Sequence, residues 1–210
     1  MAPILRTSKI GNGSFLQSDI QHTLLREAQE GNLTAQRKLF EQYFGYVKSL
    51  TLRYMATVEE AEEMLNDVFL KFFDRLDQYN PSFPLKSWIR RITINTCIDR
   101  LRSLKKLPRL MDLDSLTEPS SAEDDFSLDG VDELLPLLQS LPPRYRLVFN
   151  LYVFEDYKHR EIADMLNISE GTSKSNYARA KQILKRSLMK KARINQNGKI
   201  HLVFKSQTIS

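Results

Sequence analysis

The chain has 210 residues, 41% hydrophobic and 27% charged, which suits one large or two small soluble globular domains. Seven glycines and eight prolines are few for a turn-rich sandwich or barrel, and no apolar run approaches the roughly 20 residues of a membrane helix. Residues 1–10 lack the apolar core of a secretory signal, and the single cysteine, Cys97, excludes an internal disulfide framework, so a reducing, cytoplasmic setting is expected.

The predicted elements are helical throughout. Gly31 is placed to end a first helix, and Asn32 to N-cap a second with apolar positions Leu33, Leu39, Phe40, Phe44, Val47 and Leu50. Thr57, Val58, Glu59 and Glu60 fit a capping box, in which side chains satisfy the first free amides of the next helix. That helix carries Ala61, Leu65, Val68, Phe69, Phe72 and Leu76 at core-face spacing. Leu70 falls on the opposite face beside Glu63, Asn66, Asp67 and Asp74, an apolar residue framed by acids that suits a protein contact. After a loop, Asn80 to Pro84, the next helix spreads Trp88, Ile89, Ile92, Ile94, Ile98 and Leu101 around more than one stripe, so burial on two sides is expected.

Charge divides the chain. Residues 112–133 hold nine acids and no Lys or Arg, so the remainder carries +14 against an overall +5. A basic body with an acidic strap is a polyanion-binding profile. The stretch 107–130 also reads as a flexible linker, with two prolines, many small polar residues and little periodicity. The expected organisation is a loose N-terminus (1–17), a helical domain (18–106), the linker (107–130), a second helical domain (131–192) and a tail (193–210). The fold class is therefore all-α, two small domains joined by a flexible acidic linker. The tail alternates over 199–204 and could form a strand, although disorder suits its position better.

The sharpest signal lies at 158–186. Glu161, Ile162, Ala163 and Leu166 form a short helix, Asn167 tolerates the positive φ of a tight turn, and Ser169 is a good N-cap for the following helix. This is the layout of a helix-turn-helix, whose second helix enters the major groove. From Gly171 to Arg193 there are eight Lys/Arg and no acid. Tyr177, Ala180, Leu184 and Leu188 make the inner seam, the cations supply phosphate contacts, and Lys174, Ser175 and Asn176 sit where base edges are reached. A second signal spans 80–106, where Phe83 and Trp88 adjoin Lys86, Arg90, Arg91, Arg100, Arg102, Lys105 and Lys106, a mixture suited to single-stranded nucleic acid.

In chain order these segments resemble the extracytoplasmic-function sigma factors of the sigma-70 family. Glu62 to Leu70 is similar to the acidic motif of region 2.2, and Ser87 to Arg102 to the Trp-bearing run of regions 2.3 and 2.4. Leu141 to Arg146 resembles the "LPxxxR" opening of region 4, and Glu170 to Lys181 its recognition helix. The resemblance implies a factor that binds core RNA polymerase and directs promoter recognition, melting and initiation. It implies polymerase docking through Glu63, Asn66, Asp67 and Leu70. It implies minus-ten contacts from Asn80, Ser82, Phe83, Lys86, Trp88, Arg90, Arg91 and Asn95, with 80–86 forming a pocket for a flipped base. Minus-thirty-five contacts would come from Thr172, Lys174, Ser175, Asn176, Ala178 and Arg179. An anti-sigma partner is also expected, and neither a cofactor nor membrane insertion. Three departures stand out: Ser173 replaces an apolar residue, Asn66-Asp67 replaces Gln-Glu, and Asn176 stands where arginine is common.

Two rival readings differ in class. An enzyme is disfavoured, since His22, His159 and His201 are scattered and no phosphate loop or nucleophile elbow is present. A helix-turn-helix regulator with a ligand-binding or dimerising N-terminal domain is the other reading, discriminated by whether the chain supports initiation with core polymerase.

Overall fold

The computed structural model describes the backbone of residues 12–103 and 131–194 and the side chains of 21–103 and 134–189. The linker and the alternating tail of the sequence reading lie outside these residues. The described chain is helical without strands, and several helix boundaries have a local cause. Helix α1 (Asn12–Gln29) starts earlier than the boundary at 18 expected from composition. It ends before Gly31, whose φ of +85° suits a residue without a side chain. Asn32 then caps α2 (Leu33–Tyr54), its Oδ1 accepting from the amides of Thr34 and Ala35 at 2.9 and 3.2 Å. Thr57 Oγ1 accepts from Glu60 N at 3.2 Å and opens α3 (Val58–Asp74), while the Glu60 carboxylate reaches back to Ala56 N at 3.1 Å. Helix α4 covers Leu85–Ser103. Beyond the linker come α5 (Val131–Ser140), α6 (Pro143–Val153), α7 (His159–Leu166) and α8 (Glu170–Ile194).

One interior lies among α1 to α4. Leu39, Val47, Leu65, Phe69, Phe72 and Ile89 are buried in it, and rings at Phe40, Phe69, Phe72 and Trp88 pack in series with centroids 4.5–6.2 Å apart. The apolar face expected of α2 needs correcting at Leu33, 78% exposed, and Phe44, 37% exposed. The buried stripe runs through Ala35, Leu39, Tyr43, Val47, Leu50 and Tyr54. Leu33 precedes Ala35 by two residues and Phe44 follows Tyr43 by one, displacing them by roughly 200° and 100° around a 3.6-residue helix. A second interior among α5, α6 and α8 contains Leu138, Leu141, Phe149, Ala180, Leu184 and Leu188.

The halves are also joined. Tyr54, Met55 and Met64 of the first half, with Ile94, Cys97, Ile98 and Leu101 of α4, share a cluster with Leu147, Val148, Leu151 and Ile162 of the second half. This explains the scattered apolar positions of α4: Ile89 and Ile92 face the first interior, while Ile94, Cys97, Ile98 and Leu101 face the seam. Cys97 is fully buried there, and burial pushes its thiol well above its ordinary pKa, leaving a small inert core residue.

Candidate nucleic-acid interfaces

Helices α7 and α8 build the helix-turn-helix from local chemistry. Glu161 folds back so that its carboxylate accepts from Lys158 N at 2.7 Å. Asn167 adopts φ 55°, ψ 54°, the left-handed conformation that ends α7, and Ile168 N returns to Ala163 O at 3.0 Å. Ser169 Oγ accepts from Thr172 N at 2.9 Å, capping α8. Along α8 the inner face comprises Ser173, Asn176, Ala180, Leu184 and Leu188, all buried. Lys174 is exposed, and Thr172, Ser175, Ala178 and Arg179 are half-buried, so they border the accessible face.

Two departures from the family pattern have a structural account here. Ser173 is fully buried, and its hydroxyl lies 2.9 Å from His159 Nδ1, so a hydrogen bond replaces apolar packing between α7 and α8. The His159 ring stacks on Tyr152 at 4.4 Å and 11°, and Tyr177 closes the cluster. Burial holds the imidazole pKa below its ordinary value; nearby Lys174 adds to this and Glu170 opposes it. Asn176 is 5% exposed and turns inward with Ser173, apart from Lys174 on the accessible side. Lys174 is itself paired with Glu170 at 2.7 Å. Tyr145 anchors two cations on this half: Arg144 Nη2 donates to its oxygen at 2.7 Å and Arg179 Nη1 at 3.4 Å.

On the other half, the loop before α4 is tightly organised. Asn80 Oδ1 accepts from Ser82 N at 2.9 Å, Asn80 O from Phe83 N at 3.1 Å, and Tyr79 donates its hydroxyl to Phe83 O at 2.6 Å. These bonds present Phe83 outward at 63% exposure. Trp88 is half-buried against Phe72 and Tyr79, at 5.5 and 5.3 Å, so it forms a wall rather than a free platform. Arg91 and Asn95 share its helical face and are exposed. Lys86 is exposed and lies over the Tyr46 ring at 4.6 Å.

The expected docking residues gather on one face of α3, with Leu70 69% exposed, Glu63 and Asn66 exposed and Asp67 half-buried. Glu63 also pairs with Arg100 of α4 at 2.8 Å, which ties this acidic face to the basic helix.

Arg90 departs from its neighbours. It turns toward the seam, where its Nε donates to the Glu155 carboxylate and its Nη2 to Phe154 O at 3.2 Å. Arg53, at the end of α2, donates to the other Glu155 oxygen at 3.2 Å and lies over the Phe154 ring at 4.6 Å. Glu155, its side chain fully buried, thus bridges guanidiniums from two helices of the first half. Arg146 and Asn150 of α6, both buried, donate to Met55 O at 3.1 Å and Arg53 O at 2.8 Å. Sequence reasoning missed Arg53, Glu155 and Asn150, and met Arg146 only as the end of the Leu141–Arg146 resemblance. Their one available signal is polarity at helical positions otherwise apolar, in α6 at Arg146 and Asn150. Among the described residues, no group of three or more His, Cys, Asp or Glu could hold a metal ion, and no helix is long and apolar enough to cross a membrane.

Two family models match the two halves separately. Residues 39–107 match the model described as Sigma-70 region 2, and residues 132–184 that of Sigma-70, region 4. The ECF RNA polymerase sigma factor SigW of Bacillus subtilis is 26% identical, over 78% of this chain and 94% of that protein. The ECF RNA polymerase sigma factor SigM of Mycobacterium tuberculosis (strain ATCC 25618 / H37Rv) is 28% identical, over 84% and 87%. Among solved structures, the sigma factor RpoE in complex with the anti-sigma factor NepR, from Bartonella quintana, superposes with a TM-score of 0.46 at 19% identity, covering 73% of this chain and 96% of that one. CnrH in complex with the cytosolic domain of CnrY gives 0.41 at 18%, covering 84% and 97%.

Proposed function

This chain belongs to the sigma-70 family, whose region 2 and region 4 models together match more than half of its length, and we propose from that premise how its parts divide the work. It is a sigma factor: it binds core RNA polymerase and directs promoter recognition, melting and initiation, as a specificity subunit rather than a catalyst. The observation that carries the reading is the order of the two matched regions, the second ending in a helix-turn-helix with a basic recognition helix.

The division of labour follows from surface chemistry. The α3 face of Glu63, Asn66, Asp67 and Leu70 docks on core polymerase, combining an exposed leucine with an acidic rim. The loop and helix carrying Asn80, Ser82, Phe83, Lys86, Trp88, Arg90, Arg91 and Asn95 take the melted minus-ten strand. An outward Phe83 beside exposed cations supplies stacking and phosphate neutralisation. The start of α8 takes the duplex minus-thirty-five element through Thr172, Lys174, Ser175, Ala178 and Arg179. Asn176 belongs to this set as a residue that positions the helix from its inner face, since it is buried. Domains at 18–106 and 131–192 divide these tasks, with 107–130 linking them. The protein works in the cytoplasm with promoter DNA, and an anti-sigma factor is the regulator expected for it.

Two single substitutions test this division. Asp67→Arg reverses charge on a partly exposed position, so co-purification with core polymerase should be lost while the helical circular dichroism stays unchanged. Lys174→Ala should weaken upstream-element binding by ~1–3 kcal/mol if the lysine contacts a base edge. Polymerase retention by the first variant, or an unchanged footprint with the second, moves the respective site elsewhere.

A further inference from the structure

We infer that Arg53 and Arg90 form an anion-binding site for the backbone phosphate of a melted DNA strand, and that Glu155 occupies this site in the free chain. The inference rests on the assignment of α4 to the melted strand.

The first observation is the geometry of the bridge. Both carboxylate oxygens of Glu155 are taken, one by Arg53 Nη2 at 3.2 Å and the other by Arg90 Nε. A guanidinium offers the same forked donors to a carboxylate and to a phosphate, so the two anions compete for one pair of arginines. The site also holds two positive charges for one negative charge. Its neighbours fit a strand: Lys86 lies over the Tyr46 ring at 4.6 Å, and Phe83 projects from the preceding loop at 63% exposure. Arg53 and Arg90 side chains remain 24% and 37% exposed, whereas that of Glu155 is fully covered. Withdrawal of Glu155 therefore uncovers the arginines without refolding either helix.

The second observation is the chemistry of the surrounding seam. Arg53 Nε, Tyr54 Oη, Arg146 Nε and Asn150 Oδ1 are buried without a hydrogen-bond partner among the described residues. Buried polar atoms stabilise a seam only through directional partners, so such a seam is more readily exchanged for another set of partners than an apolar core is. It is suited to separation once a competing anion takes the arginines. Strand binding and the closed packing of the two halves are then mutually exclusive, and the helix-turn-helix half is released as the strand is bound.

The test uses the free full-length chain. Glu155→Gln keeps the side-chain shape and removes the charge, and Arg53→Gln weakens the same bridge from the other half without touching Arg90. Each is measured by small-angle X-ray scattering and by fluorescence anisotropy with a short single-stranded oligodeoxynucleotide, after circular dichroism has established folding. Glu155→Gln should enlarge the radius of gyration and tighten strand binding about tenfold, as expected if the open form is a minor species in the wild type. Arg53→Gln should enlarge the radius without that gain, because it removes half of the site. The strand, but not inorganic phosphate at equal phosphate concentration, should open the wild-type chain. Folded variants that stay as compact as wild type would overturn the inference, and opening by inorganic phosphate at that concentration would overturn the melted strand as the ligand of this site. Expansion of both variants without any strand binding would uphold Glu155 as the latch and overturn instead the assignment of α4 to the strand.

Discussion

The two places where helices of the first half bury side chains are built from different materials. Among α1 to α4 the interior is aliphatic and aromatic, with Phe69, Phe72 and Ile89 each under 5% exposed. At the seam with the second half, Leu147, Val148 and Leu151 pack beside a buried arginine, a buried asparagine and a carboxylate bridged by two guanidiniums. Apolar burial is non-directional and stabilises wherever shapes fit, while buried polar groups stabilise only in one register and only when paired. The first interior therefore holds the first four helices together. The seam specifies one arrangement of the two halves.

Substitutions that break this contrast should differ in size. Phe72→Ala removes a fully buried ring from the apolar interior and should cost about 3–5 kcal/mol in urea denaturation. A loss below ~1 kcal/mol would mean that this interior is as tolerant as the seam. Asn150→Ala removes one hydrogen bond to Arg53 O but also an unpaired Oδ1, so the expected loss is only about 1 kcal/mol. A loss as large as that of Phe72→Ala would make the seam a permanent core. The smallest effect concerns pH at α7. Burial depresses the His159 pKa in the folded state, so the unfolded chain binds more protons around its ordinary value of 6.5. Its contribution to stability is present above that value and is lost as pH falls toward the depressed one. His159→Gln should flatten the fall in urea midpoint between about pH 7.5 and 5.5; an identical slope would remove His159 as its source.

Much of this molecule was legible in its sequence because the controlling chemistry is local. Gly31, Asn32, Thr57, Asn167 and Ser169 act within a few residues of themselves, and the helix boundaries fell where their side chains allow. The stripe on α3 was equally readable, since its period follows from helix geometry. What stayed hidden depends on residues far apart in the chain. Glu155 lies 65 positions from Arg90 and 102 from Arg53, and no spacing rule links them. Arg90 read as one of a row of cations supporting a melted strand, and in the folded chain its guanidinium turns into the seam. Asn176 read as a base contact, yet the register of α8 set by Ser169 and the His159–Ser173 bond turns it inward. The two-sided burial of α4 was visible, but not that its second side would be covered by α6 and α7.

Initiation itself tests the account most directly. Purified core polymerase is supplied with genomic template fragments, with and without this chain, and the transcript starts are mapped. The account predicts new, discrete starts that require the chain and vanish with Asp67→Arg. Strong binding to duplex DNA with no start gained on any template would contradict it.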